Sequence, residues 1–293
     1  MEIASTAPAR RPRGEVRREF MNRRLGTLRK LPRVAARYGE FRARRAAAAA
    51  LPAGLPGSES LAGEAWARVD LPGDLLAGLR REAAPRLREL DMPLGEAQEG
   101  KTFYRDLLGP EGSRPGSPWM AAALDERLLG TVAAYFGAAA WLQSVELIQS
   151  LPSCDARLFR SQLWHCDNNN DTRMLKLFVY LSDVGEENGP LAFLPLSATG
   201  RVPWTAGHYL ADETIGRFTP LEETIRFTGP AGSAAMVDTA RLFHFGSRCR
   251  SPRLTFVVHY NTGFGFLPRT DWSPGWAGER SRLSALQRLA LGI

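Results

Sequence analysis

The stretch LFRSQLWHCDNNNDTRMLKLFVYLSD (residues 158–183) carries a short run ending in His-Cys-Asp, a cluster of Asn and Asp, and a second run of Leu, Phe, Val and Tyr. Asn and Asp between two such runs are the usual punctuation of antiparallel strands. To either side, runs of the same kind recur between Trp141 and Asn261, and strands are predicted near 142–149, 158–165, 174–182, 190–194, 222–228, 233–237, 241–245 and 253–261. Short strands without long helices between them favour two facing sheets, a jelly-roll or barrel, over a parallel α/β sheet. The predicted class is therefore mainly β with flanking helices (α+β).

The flanks read differently. Leu75–Leu90 and Trp119–Phe136 space their apolar residues as helices do, giving a helical lead-in over 51–140, and Arg280–Leu291 reads as a closing helix in the tail 263–293. LPAGLPGSES (51–60) has the Pro, Gly and Ser density of a linker or surface loop. With 44% hydrophobic residues, 51–293 suffices for a single domain with one sizeable core. Residues 1–45 hold fourteen Arg or Lys against four Glu, a charge of +10, so the remainder of a chain with net charge +7 carries −3. Basicity thus belongs to an extension over 1–50, expected to be disordered over its first dozen residues and helical from Glu15 to about Ala50, with an interruption at Pro32. Such a tail suits nucleic acid, an anionic membrane surface or an acidic partner, yet no aromatic residues are interleaved as base-stacking would require, so solvated charge is the expectation. No apolar run is long enough for a membrane span and no secretory leader is visible, which points to the cytoplasm. Cys154, Cys166 and Cys249 lie far apart and are expected to be reduced thiols.

Four histidines are present: His165, His208, His244 and His259. On a strand, residues two apart share a face, so His165 and Asp167 are expected to point together into one cavity as a chelating pair. Two imidazoles and one carboxylate on one face of an octahedron hold iron(II) in oxygenases and leave the other positions open. The second imidazole is sought in GPAGSAAMVDTARLFH (229–244), where a turn leads into a short apolar run and then His244. Arg253 begins LTFVVHY, with Arg253, Thr255 and Val257 expected on the inner face, and an inward guanidinium asks for a carboxylate to fork onto.

The segments SQLWHCDNNNDTRMLKLFVYLSDVGEENGPLAFLP and GPAGSAAMVDTARLFHFGSRCRSPRLTFVVHYN resemble the core of the phytanoyl-CoA dioxygenase family of Fe(II)- and 2-oxoglutarate-dependent oxygenases, over about residues 140–262. The resemblance implies a double-stranded β-helix, cupin-like core (141–262), iron ligated by His165, Asp167 and His244, and Arg253 on the distal carboxylate of 2-oxoglutarate. It also implies a small-molecule substrate, hydroxylated with O2 while 2-oxoglutarate becomes succinate and CO2. Related halogenases carry a small residue where Asp167 stands, so hydroxylation is expected over halogenation.

Further residues follow. Lys176 and Phe178, alternating with Tyr180 along one strand face, are candidates for contact with 2-oxoglutarate, and Tyr180, Asn168 and Asn169 for contact with substrate. Asn170 is read with them as part of a polar turn, Asp238 as a carboxylate that fixes a turn, and Trp164 and Cys166 as packing. His208 and His259 are read as non-ligands. Where the family has a Pro-Gly-Ser-His run, this chain has LPLSATG (194–200), with Leu196 and Ala198 at the Gly and His places, in a loop expected to border the cavity. Two other functions fit parts of the pattern: a cupin-like metal-dependent isomerase or hydrolase, and a binding module acting through the basic tail.

Overall fold

A computed structural model describes residues 28, 30–88, 90, 103–152, 158–167, 171–203, 206 and 208–293. Among them nine strands form: β1 (Trp66–Val69), β2 (Tyr104–Asp106), β3 (Trp141–Ser150), β4 (Met174–Tyr180), β5 (Leu191–Phe193), β6 (Ile225–Phe227), β7 (Ala234–Asp238), β8 (His244–Phe245) and β9 (Arg253–Asn261). They make an antiparallel six-stranded sheet in the order β1-β7-β4-β9-β3-β2 and a three-stranded sheet in the order β6-β5-β8. Tyr180 and Val237 of the large sheet pack against Leu191, Phe193 and Phe227 of the small one, closing the two layers into the expected double-stranded β-helix with flanking helices.

The period of two along the central strands decides what each face does. Leu254, Phe256, Val258 and Tyr260 of β9, with Leu175, Leu177 and Val179 of β4, face outward into a core shared with the helices. Burying each of the aliphatic and Phe side chains contributes roughly 1.5–3 kcal/mol. The alternate residues Lys176 and Phe178 of β4, Arg253, Thr255, Val257 and His259 of β9, and Glu146 and Ile148 of β3 turn inward to a cavity. Register aligns them in rows: Lys176 opposite His259, and Phe178 opposite Val257 opposite Glu146.

The helical cover differs from expectation at its boundaries, for local reasons. The predicted helix over 119–136 is two helices, Pro118–Ala123 and Glu126–Phe136, because Asp125 takes an extended ψ and its carboxylate accepts Leu128 N as an N-cap. The closing helix begins at Ala285, where Ser284 and Gln287 form a reciprocal capping box, and residues 277–282 form a 3-10 turn instead. Helix Gly73–Arg88 matches the predicted one within two residues at each end.

Two further expectations change. Pro32 does not interrupt the basic helix: residues 30–36 are helical through it, and the break falls at Arg37, whose φ of −128° and ψ of 39° leave the helical region. The following helix, Tyr38–Ala49, is docked on the body through Arg44. That side chain is 1% exposed and donates to the carbonyls of Ala139, Ala140 and Leu289 and to Glu40. The predicted strand over 158–165 is absent. Arg160 takes a positive φ of 47° in a 3-10 turn, and Gln162 hydrogen bonds to Phe159 N and Ser247 O, leaving only single bridges at Trp164 and His165.

Candidate metal centre

His165 and His244 meet backbone to backbone, His165 N donating to His244 O (3.0 Å) and His244 N to His165 O (2.9 Å). Asp167 N donates to Thr239 O (2.7 Å), fixing the carboxylate beside them. The three side chains converge: His165 Nε2 lies 3.8 Å from Asp167 Oδ1, His244 Nε2 lies 3.6 Å from Asp167 Oδ2, and one ligand atom from each residue falls within 4.8 Å of the others. Each imidazole uses Nδ1 on a backbone carbonyl, Leu163 O for His165 and Leu242 O for His244. A carbonyl only accepts, so the hydrogen sits on Nδ1 and the Nε2 lone pairs face Asp167.

Burial, then the neighbouring His244, pushes the His165 pKa down to about 3, and burial lowers that of His244. Burial opposes ionisation of Asp167, but Lys176, whose Nζ stands 2.8 Å from Oδ2, holds the carboxyl well below its ordinary range. Neutral imidazoles beside an ionised carboxylate are the protonation states a divalent cation needs. This donor set suits first-row metals such as Fe(II).

The triad opens on a cavity of about 300 Å³. Arg253, 6% exposed, stands in its wall. Its Nη2 donates to Ser247 Oγ (3.3 Å) and its guanidinium lies 5.9 Å from the centre of the Tyr180 ring, while the buried Nε and Nη1 make no hydrogen bond. The hydroxyl of Thr255, two residues on along the same face, is likewise unsatisfied. Buried donors without acceptors are costly, and an anionic group with several oxygens would satisfy them together.

Lys176, Phe178 and His259 also border the cavity, with His259 pushed down by burial to about 4. Tyr180 does not reach it: the hydroxyl is spent on Phe227 O (2.7 Å) and Leu191 N (3.1 Å), where it pins the two sheets together. Asn168, Asn169 and Asn170 lie outside the described residues, as does Cys154. Trp164 and Cys166 are buried in an apolar cluster, and the Cys249 thiol donates to Asn188 O (3.2 Å). Asp238 ties a turn together, its Oδ1 accepting from Ala240 N and Arg241 N. The His208 ring lies 6.2 Å from that of His165, outside the ligand cluster. Leu196 and Ala198 sit in the short helix Leu196–Arg201, Ala198 packs in the cluster around Trp164, and neither borders the cavity as expected.

Sequence reasoning did not reach Tyr104, Arg160, Tyr209 and Ser247, all of which line the cavity. Arg160 and Ser247 hold positive φ values of 47° and 59°, which nothing in their residue types signals. His259 was reachable by parity, since it continues the inward series 253, 255, 257. Among the described residues no helix is long and apolar enough to cross a membrane.

No family model and no curated protein matches the chain. Solved structures do. The structure of EctD from S. alaskensis in its apoform aligns with a TM-score of 0.52 at 19% identity, covering 75% of this chain and 80% of that one. The same protein with bound Fe aligns with a TM-score of 0.52 at 20% identity over the same shares. With 2-oxoglutarate and 5-hydroxyectoine it aligns with a TM-score of 0.50 at 19% identity, covering 75% and 79%. At such identities the likeness is one of architecture: this chain has a fold similar to that of EctD.

Proposed function

We propose that the chain is a non-haem Fe(II)- and 2-oxoglutarate-dependent oxygenase that hydroxylates a small organic molecule. The observation that carries this reading is the pairing, in one cavity, of a His-Asp-His cluster with Arg253, a buried guanidinium that has two donors unspent. A metal-dependent isomerase or hydrolase gives no reason to bury such a cation opposite its metal. EctD, similar in fold, was crystallised with Fe and with 2-oxoglutarate and 5-hydroxyectoine, and the family resemblance of the motifs points the same way.

In this reading His165, Asp167 and His244 hold iron, and Arg253 with Thr255 and Ser247 receives the distal carboxylate of 2-oxoglutarate. When bound, iron and 2-oxoglutarate supply the oxidising power from O2, with succinate and CO2 as co-products. The chain's own contribution is positioning and the exclusion of water. Phe178, Ile148 and Val257 make an apolar wall, while Tyr104, Arg160 and Tyr209 stand around the same space. Co-substrate and substrate would share this cavity of about 300 Å³. The carboxylate of Asp167, in place of a small residue, favours hydroxylation over halogenation.

The test is an anaerobic titration of iron-loaded protein with 2-oxoglutarate, following the visible charge-transfer absorption of a chelated oxoacid. A saturable band, weakened in the Arg253→Ala protein, is the expected result. Folded, iron-loaded protein that develops no band would return the function to a non-oxidative metal enzyme.

A further inference from the structure

Lys176 projects from β4 into the cavity and stands opposite His259 in register. Its Nζ lies 2.8 Å from Asp167 Oδ2, which also faces His244 Nε2 at 3.6 Å, while Oδ1 faces His165 Nε2 at 3.8 Å. Each carboxylate oxygen therefore faces an imidazole, but the two are unlike in that only Oδ2 is ion-paired with an ammonium.

We propose that Lys176 is a positioning residue that keeps Asp167 a single-oxygen ligand and thereby sets how many metal positions stay open. The inference rests on the metal reading of the His165, Asp167 and His244 cluster. A carboxylate can bind a cation through one or two oxygens. Two imidazoles and one oxygen occupy three of six octahedral positions, the facial arrangement with an open side. If both oxygens of Asp167 bound, two positions would remain, and a chelating oxoacid would fill both and leave none for a third ligand. Lys176 blocks the second oxygen electrostatically and by occupancy. Its charge acts in opposite senses on the two guests, repelling a metal cation and attracting an oxoacid dianion. A residue that merely supported the fold would weaken both guests together.

The experiment loads wild-type, Lys176→Met and Lys176→Arg proteins with Co(II), reads the visible d–d absorption, and then titrates each anaerobically with 2-oxoglutarate. Folding is checked by circular dichroism. Lys176→Met is expected to retain Co(II), to show an altered d–d spectrum as the second Asp167 oxygen takes a position otherwise open to water, and to bind 2-oxoglutarate roughly tenfold or more weakly, the scale of outer-shell losses. Lys176→Arg, which restores the cation, is expected to keep the wild-type spectrum. A Lys176→Met protein with unchanged spectrum and unchanged 2-oxoglutarate affinity would overturn the proposal, as would parallel loss of metal and 2-oxoglutarate in both variants. Failure of the wild-type protein itself to bind Co(II) would instead remove the metal reading beneath it.

Discussion

His165 and His244 are oriented by the same device: each imidazole donates Nδ1–H to the carbonyl two residues before it, Leu163 O at 2.8 Å and Leu242 O at 3.1 Å. One ligand precedes β4 and the other lies in β8 of the opposite sheet, yet the backbone fixes the tautomer of both without any second side chain. Because the orienting acceptors are backbone carbonyls, truncating the side chain of Leu163 or Leu242 does not delete them.

Replacing His165 or His244 with Ala is expected to leave two ligands and a folded protein. Metal affinity, measured by calorimetric titration with Co(II), should fall by more than the roughly 10–100-fold typical of losing an outer-shell partner. Wild-type affinity in His244→Ala would remove it from the ligand set.

Arg253 carries a cost in the free protein, since its buried Nε and Nη1 lack acceptors. Function and stability should separate there. Arg253→Met is expected to raise the unfolding free energy of the metal-free protein, measured in urea, by on the order of 1 kcal/mol. It should weaken 2-oxoglutarate by about 2 kcal/mol or more, roughly 30-fold. A variant that loses stability and keeps its affinity would show that the guanidinium serves packing.

How much of this was legible in the sequence follows from what each residue depends on. Parity along β9 is a local property, so the inward series from Arg253 to Val257 could be read directly, whereas His165 and Asp167 converge without the strand from which their shared face was expected. That strand, expected at 158–165, does not form, because Gln162 bonds across to Ser247, 85 residues away, and the chain there follows side-chain contacts in place of a ladder. Tyr180 shows the limit of parity: it is on the inward face, but an acceptor in β6 and a donor in β5 claim its hydroxyl. Within the arginine-rich extension, composition could not distinguish a solvated arginine from Arg44, enclosed by Glu40 one turn before it and by three carbonyls from distant segments.

Arg44 gives a prediction of its own. Its truncation leaves three carbonyls without this donor and Glu40 with Arg269 alone, and it removes a cation lying 5.2 Å from the Trp141 ring centre. In the intact chain, Arg44→Ala is expected to cost roughly 3 kcal/mol in urea unfolding, and Arg44→Lys somewhat less, because one ammonium cannot span acceptors placed for a planar fork. A loss below about 0.5 kcal/mol, within the range of ordinary surface substitutions, would mean the helix Tyr38–Ala49 is held by other contacts.

Asp238 ties stability to pH. It is fully buried, and burial raises its pKa from an ordinary 3.8 to about 6, against the pull of the Tyr135 hydroxyl, which donates to Oδ2 at 2.8 Å. A carboxyl that holds its proton more tightly folded than unfolded contributes stability that is fully present below about 4 and is lost as pH rises through about 6. The difference is on the order of 2–3 kcal/mol. Asp238→Asn keeps an oxygen for the backbone donors at Ala240 and Arg241 but cannot ionise. Other groups titrate in the same window, so the informative quantity is the variant's unfolding free energy minus that of the wild type. This difference should shift in favour of the variant by that amount between pH 4 and pH 8. A difference that stays flat across the window would mean that the Asp238 carboxyl ionises as readily folded as unfolded, its hydrogen bonds offsetting its burial in full.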